Sequence, residues 1–205
     1  NAEIIKSGIV KPEDVPHFAE NIYKEAGRLI TLVNDIIKLS KLDEGSGEMA
    51  KEPVDLSEIV NETAESLRAA ADQHRISSEI HIEKAMIMGV RPVLAEMVYN
   101  LWENAIKYNK DGGKIFVSIS NEIRDGQNYV NLTIKDTGIG IPATERERIF
   151  ERFYRVDKSH SKEIGGTGLG LSIVKHGARL HKAEIFVESE IDKGSTFVIQ
   201  FPKEA

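Results

Sequence analysis

The sequence predicts an α/β protein of the α+β kind, a two-layer sandwich whose mixed sheet carries helices on one face, preceded by a truncated helical hairpin. Three observations carry this. Beyond residue 53, helix-periodic and strand-periodic segments mingle without the strict strand-helix-strand alternation of a parallel sheet. Glycine turns flank the strand-like segments: Gly112-Gly113 leads into one, and Asp192-Lys193-Gly194 joins the last two. Before residue 44, apolar residues recur at helical spacing over some thirty positions and no strand pattern interrupts them.

The elements follow in order. Pro12 to Leu42 reads as one long helix, because Val15, Phe18, Ile22, Leu29, Leu32, Ile36 and Leu39 keep an a/d spacing. Ala26, Ile30, Val33 and Ile37 form a second stripe that widens the face. A face this wide needs a partner, and the only upstream candidate, Ala2 to Lys6, is barely two turns long before Gly8 stops it. The chain, which opens on Asn1, is therefore expected to be a piece of a longer protein that starts inside the partner helix. The competing reading docks this helix on the main domain. Asp43 to Glu48 is a polar, glycine-containing linker, which divides the chain into a partial hairpin at 1–44, a linker at 45–52 and a main domain at 53–205. Asp55-Leu56-Ser57-Glu58 opens a helix running to about His74, and strands follow at Ile76 to Ile82 and Met86 to Met88. Next come a helix from Arg91 to Tyr108 and strands at Lys114 to Ser120 and Tyr129 to Lys135. Pro142 starts a short helix, a long polar segment intervenes, and Gly168 to Leu180 is helical. Strands at Ala183 to Ser189 and Thr196 to Phe201 close the chain.

Composition limits the function. A net charge of -6 gives no general attraction to nucleic acid or to an anionic membrane surface. Cysteine is absent, which excludes a disulfide framework and thiolate chemistry and fits a reducing, cytoplasmic setting. No apolar run approaches the roughly 20 residues of a membrane helix, so any membrane anchor is expected upstream of this chain.

Three segments carry the chemistry. Asn100 and Asn104 stand one turn apart on one helix face, where asparagine is a poor resident. An amide oxygen there is a hard donor suited to Mg²⁺, and Lys107 can reach a phosphate; the alternative is a solvated polar face. Asp136 ends an apolar strand and Gly138 and Gly140 follow at once. Its carboxylate can accept from an exocyclic amine such as that of adenine, while the glycines admit close backbone approach. Gly138-x-Gly140-x-x-Ala143 also mimics a dinucleotide fingerprint, but Asp157, at the spacing of the ribose acid, ends no strand. Gly165-Gly166-Thr167-Gly168-Leu169-Gly170-Leu171 suits a phosphate cradle at a helix N-terminus and lacks the Gly-Lys-Ser/Thr of a Walker loop. Between them, Phe150 and Phe153 are candidates to anchor a lid on the core, and Arg155 to meet a phosphate. The six histidines, His17, His74, His81, His160, His176 and His181, show no metal-ligand spacing and read as mostly surface residues.

These residues together resemble the sensor histidine kinases of two-component systems, within the GHKL superfamily that includes Hsp90, MutL and type II topoisomerases. Asn100 to Tyr108 resembles the N box, Asp136 to Ile141 the first glycine box, Phe150 to Tyr154 the F box and Gly166 to Gly170 the second glycine box. Gly194-Ser195-Thr196-Phe197 resembles the closing motif, and residues Pro12 to Leu42 the second helix of the dimerisation and phosphotransfer hairpin. The resemblance implies the Bergerat fold, with ATP and Mg²⁺ as cofactors. It also implies that Asp136 reads adenine, that Tyr108 packs near the base, and that Thr196 helps hold nucleotide and aspartate. Asn104 would hold Mg²⁺, and Asn104 with Lys107 would be the catalytic pair. The remaining ATP contacts it implies are Asn100, Gly138, Gly140, Ile141, Phe153, Arg155, Gly166, Thr167, Gly168, Leu169, Gly170 and Leu171, with Glu151 to Thr167 as the lid.

The activity that the resemblance implies is transfer of the ATP γ-phosphoryl to a histidine, then to a response-regulator aspartate, by a protein that is a homodimer when intact. Where the Hsp90 and MutL branches carry a water-activating glutamate, this chain has Asn100, which cannot act as a base. The acceptor histidine belongs on the first hairpin helix, and His17, placed after the turn, does not replace it. His181-Lys182-Ala183 departs from the usual His-Gly-Gly. The alternative is a nucleotide-gated regulatory module or an anti-sigma-like serine kinase of the same superfamily.

Overall fold

The computed structural model describes residues 1–44, 49–156 and 166–203. Half of the expected linker, Gly45 to Glu48, and part of the polar segment, Asp157 to Gly165, lie outside the described residues. Helix α1, Ala2–Lys6, ends ahead of Gly8, whose φ of 71° is left-handed. Helix α2, Val15–Glu44, begins three residues later than Pro12. Pro16 is the reason: it is tolerated in a first turn, but in a helix begun at Pro12 its ring would strike the carbonyl four residues back.

Strand β1, Glu52–Asp55, takes the last residue of the expected linker into the main domain. Only Val54 of it is buried, so no alternation announces it. It pairs antiparallel with β3, Met86–Gly89, setting Val54 opposite Ile87. Helix α3, Leu56–Gln73, is capped by Asp55, whose carboxylate accepts from the Ser57 amide at 3.0 Å. Helix α4 spans Arg91–Lys107.

The main sheet orders β2 (Ser77–Ile82), β4 (Lys114–Arg124), β5 (Gln127–Asp136), β7 (Gly194–Pro202) and β6 (Glu184–Glu190). β2 runs parallel to β4 and every other pair is antiparallel, so the sheet is mixed as predicted. The β4–β5 hairpin outruns its prediction at both ends. Asp125-Gly126, with φ of 52° and 78°, supplies the twice-positive turn that matches strand twist.

One face of this sheet is the core. Ile115, Val117 and Ile119, then Val130, Leu132 and Ile134, then Phe197, Ile199 and Phe201 meet Leu94, Met97, Leu101 and Trp102 of α4, all buried. Helix α5, Gly170–Leu180, lies against α4. Gly177 permits the approach, since a Cβ there would sit 2.5 Å from the Met97 sulfur. Gly168, at φ 74°, cannot be helical, and α5 starts two residues after it. Two 3₁₀ turns, Ala143–Glu145 and Arg148–Phe150, stand where one short helix was expected.

The competing reading, a helix docked on the main domain, describes the C-terminal half of α2. The C-terminal half of α2 docks on α5, burying Leu39 with Leu169 and Ile173, with Leu32 and Leu42 alongside. Asp35 accepts from the Thr167 hydroxyl at 2.7 Å, Lys38 pairs with Glu96 at 2.8 Å, and Asp43 meets Arg152 at 2.7 Å and His176 at 3.0 Å. Burial holds the His176 imidazole below its usual range despite Asp43. Leu29, Ile30, Val33, Ile36 and Ile37 remain 45–64% exposed.

Candidate functional site

Strand alternation sets the chemistry of the site. Val130, Leu132 and Ile134 point into the helix-covered face of β5, and two residues on, the same face receives Asp136. A carboxylate thus occupies a core slot, 7% exposed. Its Oδ1 accepts from the Gly138 amide at 2.8 Å and from the Ser195 amide at 3.2 Å. Among the described residues Oδ2 has no hydrogen-bond partner, yet it is not sealed in. Burial raises the Asp136 pKa, and the two amides offset that only in part.

The glycine loop after β5 is held by backbone on both sides. The Ile139 amide donates to the Tyr108 carbonyl at 3.0 Å, and a Cβ on Gly138 would lie 2.2 Å from that oxygen. Gly140, at φ 71°, presses on the β6–β7 turn, where a Cβ would meet the Glu190 carbonyl at 2.1 Å. Gly194 is equally close to the Asp136 carbonyl. Tyr108, which caps α4, therefore lies beside the Asp136 loop.

The other end of α4 faces the second glycine segment. Asn100 is buried, and its amide nitrogen donates to the Glu96 carbonyl at 2.8 Å and carboxylate at 3.2 Å. Its Oδ1 sits at the start of α5, where a Cβ on Gly170 would be 2.6 Å away. From Asn100 to Tyr108 the helix spans about 12 Å at 1.5 Å per residue, joining the two glycine segments. Between them, Asn104 is half-buried, and its carboxamide has no hydrogen-bond partner among the described residues. Lys107, on the same stretch, pairs with Glu103 at 2.8 Å.

The lid ends are tied together. The Phe153 amide donates to the Gly168 carbonyl at 2.9 Å, and Arg155 donates to the Gly166 carbonyl at 3.2 Å. The Leu169 amide donates to the Thr167 hydroxyl at 3.3 Å. Asp157, His160 and Gly165 lie outside the described residues.

Two expectations, for Thr196 and Phe153, need correction, whereas Leu169, Leu171 and His181 pack inward without contradicting theirs. Thr196 does not hold the aspartate: it pairs with Lys135 and Glu188 on the open face of the sheet, and the inward residue one position earlier, Ser195, makes that bond. Phe153 does not anchor the lid in the core, being 58% exposed at φ 62°, whereas Phe150 packs on it. Leu169 is a core residue between α2 and α5, while Leu171 packs at the margin of the main core. His181 is buried, with Nε2 accepting from the Val90 amide at 2.9 Å and Nδ1 donating to the Gly177 carbonyl at 2.7 Å. At the departure from His-Gly-Gly, Lys182 takes the left-handed φ of 54° that glycine would take freely.

Sequence reasoning also passed over Ser189 and Arg146. Ser189 hydrogen-bonds the Ile141 amide at 2.7 Å, and Arg146 donates to the Ser189 carbonyl. Two surface clefts, of about 370 Å³ between α3 and β2 and about 500 Å³ beside the β4–β5 turn, are lined by none of the residues expected to contact nucleotide. Among the described residues no group of three His, Asp or Glu side chains is arranged to hold a metal.

The chain is similar to known proteins along nearly all its length. It is 37% identical to the sensor-like histidine kinase SenX3 of Mycolicibacterium smegmatis, over 98% of this chain and 52% of that protein. It is 31% identical to the sensor histidine kinase WalK of Bacillus subtilis, over 98% of this chain and 33% of that protein. The chain thus spans between a third and about half of these relatives. Its fold is similar to that of full-length ShkA in complex with AMPPNP, at a TM-score of 0.76 and 26% identity, covering 96% of this chain and 40% of ShkA. Residues 89–205 match the family described as histidine kinase-, DNA gyrase B- and HSP90-like ATPase. With that match over more than half its length, the chain belongs to this ATPase family, as a catalytic domain of the sensor histidine kinase kind.

Proposed function

We propose that the chain binds Mg-ATP between the Asp136 loop and the start of α5, and that within the whole protein the γ-phosphoryl passes to a histidine on a hairpin helix upstream. The observation that carries this reading is Asp136, a core-facing carboxylate with one oxygen fixed by two amides and the other open. It is built to accept from one amine, as the adenine exocyclic group offers. Gly138 and Gly140 admit the ring, and Tyr108 closes beside it.

The N-terminus of α5, with amides of Gly168 and Gly170 and the helix dipole behind them, suits the phosphates. Gly166, Thr167 and Leu171 flank that cradle, and Arg155 and Lys107 bring positive charge to it. The Asn104 carboxamide, free of protein partners among the described residues, fits a hard oxygen-seeking cation. Mg²⁺ there would neutralise charge on the phosphates. Asn100 supports the reading differently: its nitrogen is committed to Glu96 and its oxygen faces Gly170, so it positions α5 and activates no water.

The partners we infer for the whole protein are a second copy of itself and the receiver domain of a response regulator. A cytoplasmic place for this portion, with any anchor upstream, accords with the finding that no described helix is long and apolar enough to cross a membrane. ShkA, part of which shares this fold, is in complex with AMPPNP, which supports a nucleotide-binding reading.

The test uses a chain extended upstream by the missing helix, incubated with γ-labelled ATP and Mg²⁺. Acid-labile, alkali-stable label that disappears on mutating the upstream histidine is the expected result. ATP binding without label would favour a nucleotide-gated module, and steady hydrolysis by the isolated chain would favour the Hsp90-like branch.

A further inference from the structure

We propose that Ser189 is a positioning residue of the nucleotide site, holding the glycine loop against the strand end that carries Asp136. This rests on the nucleotide reading above. Ile185, Val187 and Ser189 alternate inward along β6, as Ser195 and Phe197 do along β7, and Ser189 is paired directly with Ser195. Asp136, Ser195 and Ser189 thus form a buried polar row across three strands at one end of an otherwise apolar face.

The hydroxyl of Ser189 is fully used. It accepts from the Ile141 amide at 2.7 Å and donates to the Gly194 carbonyl at 2.9 Å. A hydroxyl has one proton and two acceptor sites, so the 3.0 Å contact with the Ser195 hydroxyl is Ser195 donating to Ser189. Those bonds tie together the glycine loop at Ile141, the turn at Gly194 and the residue whose amide holds Asp136. From the other side of Gly140, the Asp192 amide donates to the Ile139 carbonyl at 2.8 Å. On one side of Gly140 the loop is held by two backbone bonds at Ile139, and on the other by the Ser189 side chain at Ile141, which substitution can remove. Arg146, donating to the Ser189 carbonyl, fixes the same residue from the segment after the loop.

Without the hydroxyl, the Ile141 and Ser195 donors and the Gly194 acceptor each lose a partner, and the loop no longer waits in the shape the base requires. Ser189→Ala is expected to weaken ATP binding about tenfold and to speed amide exchange at Ile141 in the nucleotide-free protein. Ser189→Thr, which keeps the hydroxyl, should recover both. Thr63→Ala is the control, because it removes another buried hydroxyl, bonded to the Ile59 carbonyl within α3 at 2.8 Å. It should lower Tm yet leave ATP affinity within about twofold, as expected for a bond within one helix.

Calorimetry, exchange and Tm on the four proteins decide the matter. Unchanged affinity and unchanged Ile141 exchange in Ser189→Ala overturn the proposal, as does an affinity loss that Thr63→Ala reproduces. Should Ser189→Ala fail to fold, Ser189→Cys, close in size and a poor hydrogen-bonder, takes its place under the same criteria. A wild-type chain with no ATP affinity would instead sink the nucleotide reading, and Ile141 exchange would still say whether Ser189 holds the loop.

Discussion

Asp136 sits where the fold would prefer leucine, and that conflict has measurable consequences. Its raised pKa means that the folded state binds more protons than the unfolded chain just above the ordinary aspartate range. Stability therefore falls as pH rises through that window, and at neutral pH the charge works against the fold. Asp136→Asn keeps an oxygen for the Gly138 and Ser195 amides and removes the charge. It should leave Tm equal or higher while weakening ATP binding at least tenfold, or about 1.4 kcal/mol, by calorimetry. Equal binding would refute the adenine contact. His181 has the opposite sign. Burial holds its pKa below the usual value, with Lys51 adding to the effect and the Gly177 carbonyl opposing it, so the ring stays neutral when folded. The unfolded chain takes up the proton first, and stability that is full above about pH 6.5 falls as the pH drops below it. His181→Leu should be less stable by about 1–3 kcal/mol at pH 7.5 and show a flatter decline to pH 5 in urea unfolding. A parallel decline would show that His181 is not the titrating group. Asp136 was legible because an acid ending an apolar strand before two glycines is unusual. Ser189 was not, since a serine in a strand carries no signal until its cross-strand neighbour is known.

At the scale of elements, the sequence is informative where one segment specifies itself and weak where a distant partner decides. α3, α4 and most of the central strands are readable from periodicity and capping, Asp55 above all. β1 is not, because Val54 acquires meaning only opposite Ile87, more than thirty residues later. The start of α2 and the tip of the β4–β5 hairpin were readable: Pro16 and Asp125-Gly126 state both plainly. Thr196 shows how sharp strand register is, as an error of one residue transfers a side chain to the other face. The docking of α2 on α5 is likewise a tertiary fact, resting on a small apolar cluster and exposed ion pairs. Such pairs contribute little, so burial of Leu39 should dominate. Leu39→Asp is expected to release the C-terminal half of α2 from α5, lengthening the distance between spin labels placed at Lys38 and Lys175. Melting of the main domain should shift by no more than a few degrees. An unchanged distance distribution would mean that the polar contacts hold the helix unaided.

For the molecule as a whole, the question is which part of the chain the site requires. Every residue of the main buried cluster lies between Val54 and Phe201, and Asp136, Asn104 and the start of α5 all stand on it. Helix α2 reaches the site region through Asp35 on Thr167, Lys38 on the Glu96 carboxylate that also holds Asn100, and Asp43 on Arg152 and His176. Meanwhile Leu29, Ile30, Val33, Ile36 and Ile37 of α2 form an apolar stripe left largely exposed by the described elements, and we propose that a second chain covers it. Two properties should therefore separate cleanly. A chain of residues 51–205 should remain folded and monomeric in sedimentation experiments, with ATP affinity within about threefold of the full chain, or roughly 0.7 kcal/mol. The full chain should associate as concentration rises, and Val33→Glu with Ile37→Glu should reverse that without touching ATP binding. Loss of ATP affinity in the truncated chain would reverse the assignment of roles, because the Asp35–Thr167 bond would then be holding the phosphate cradle in its working shape.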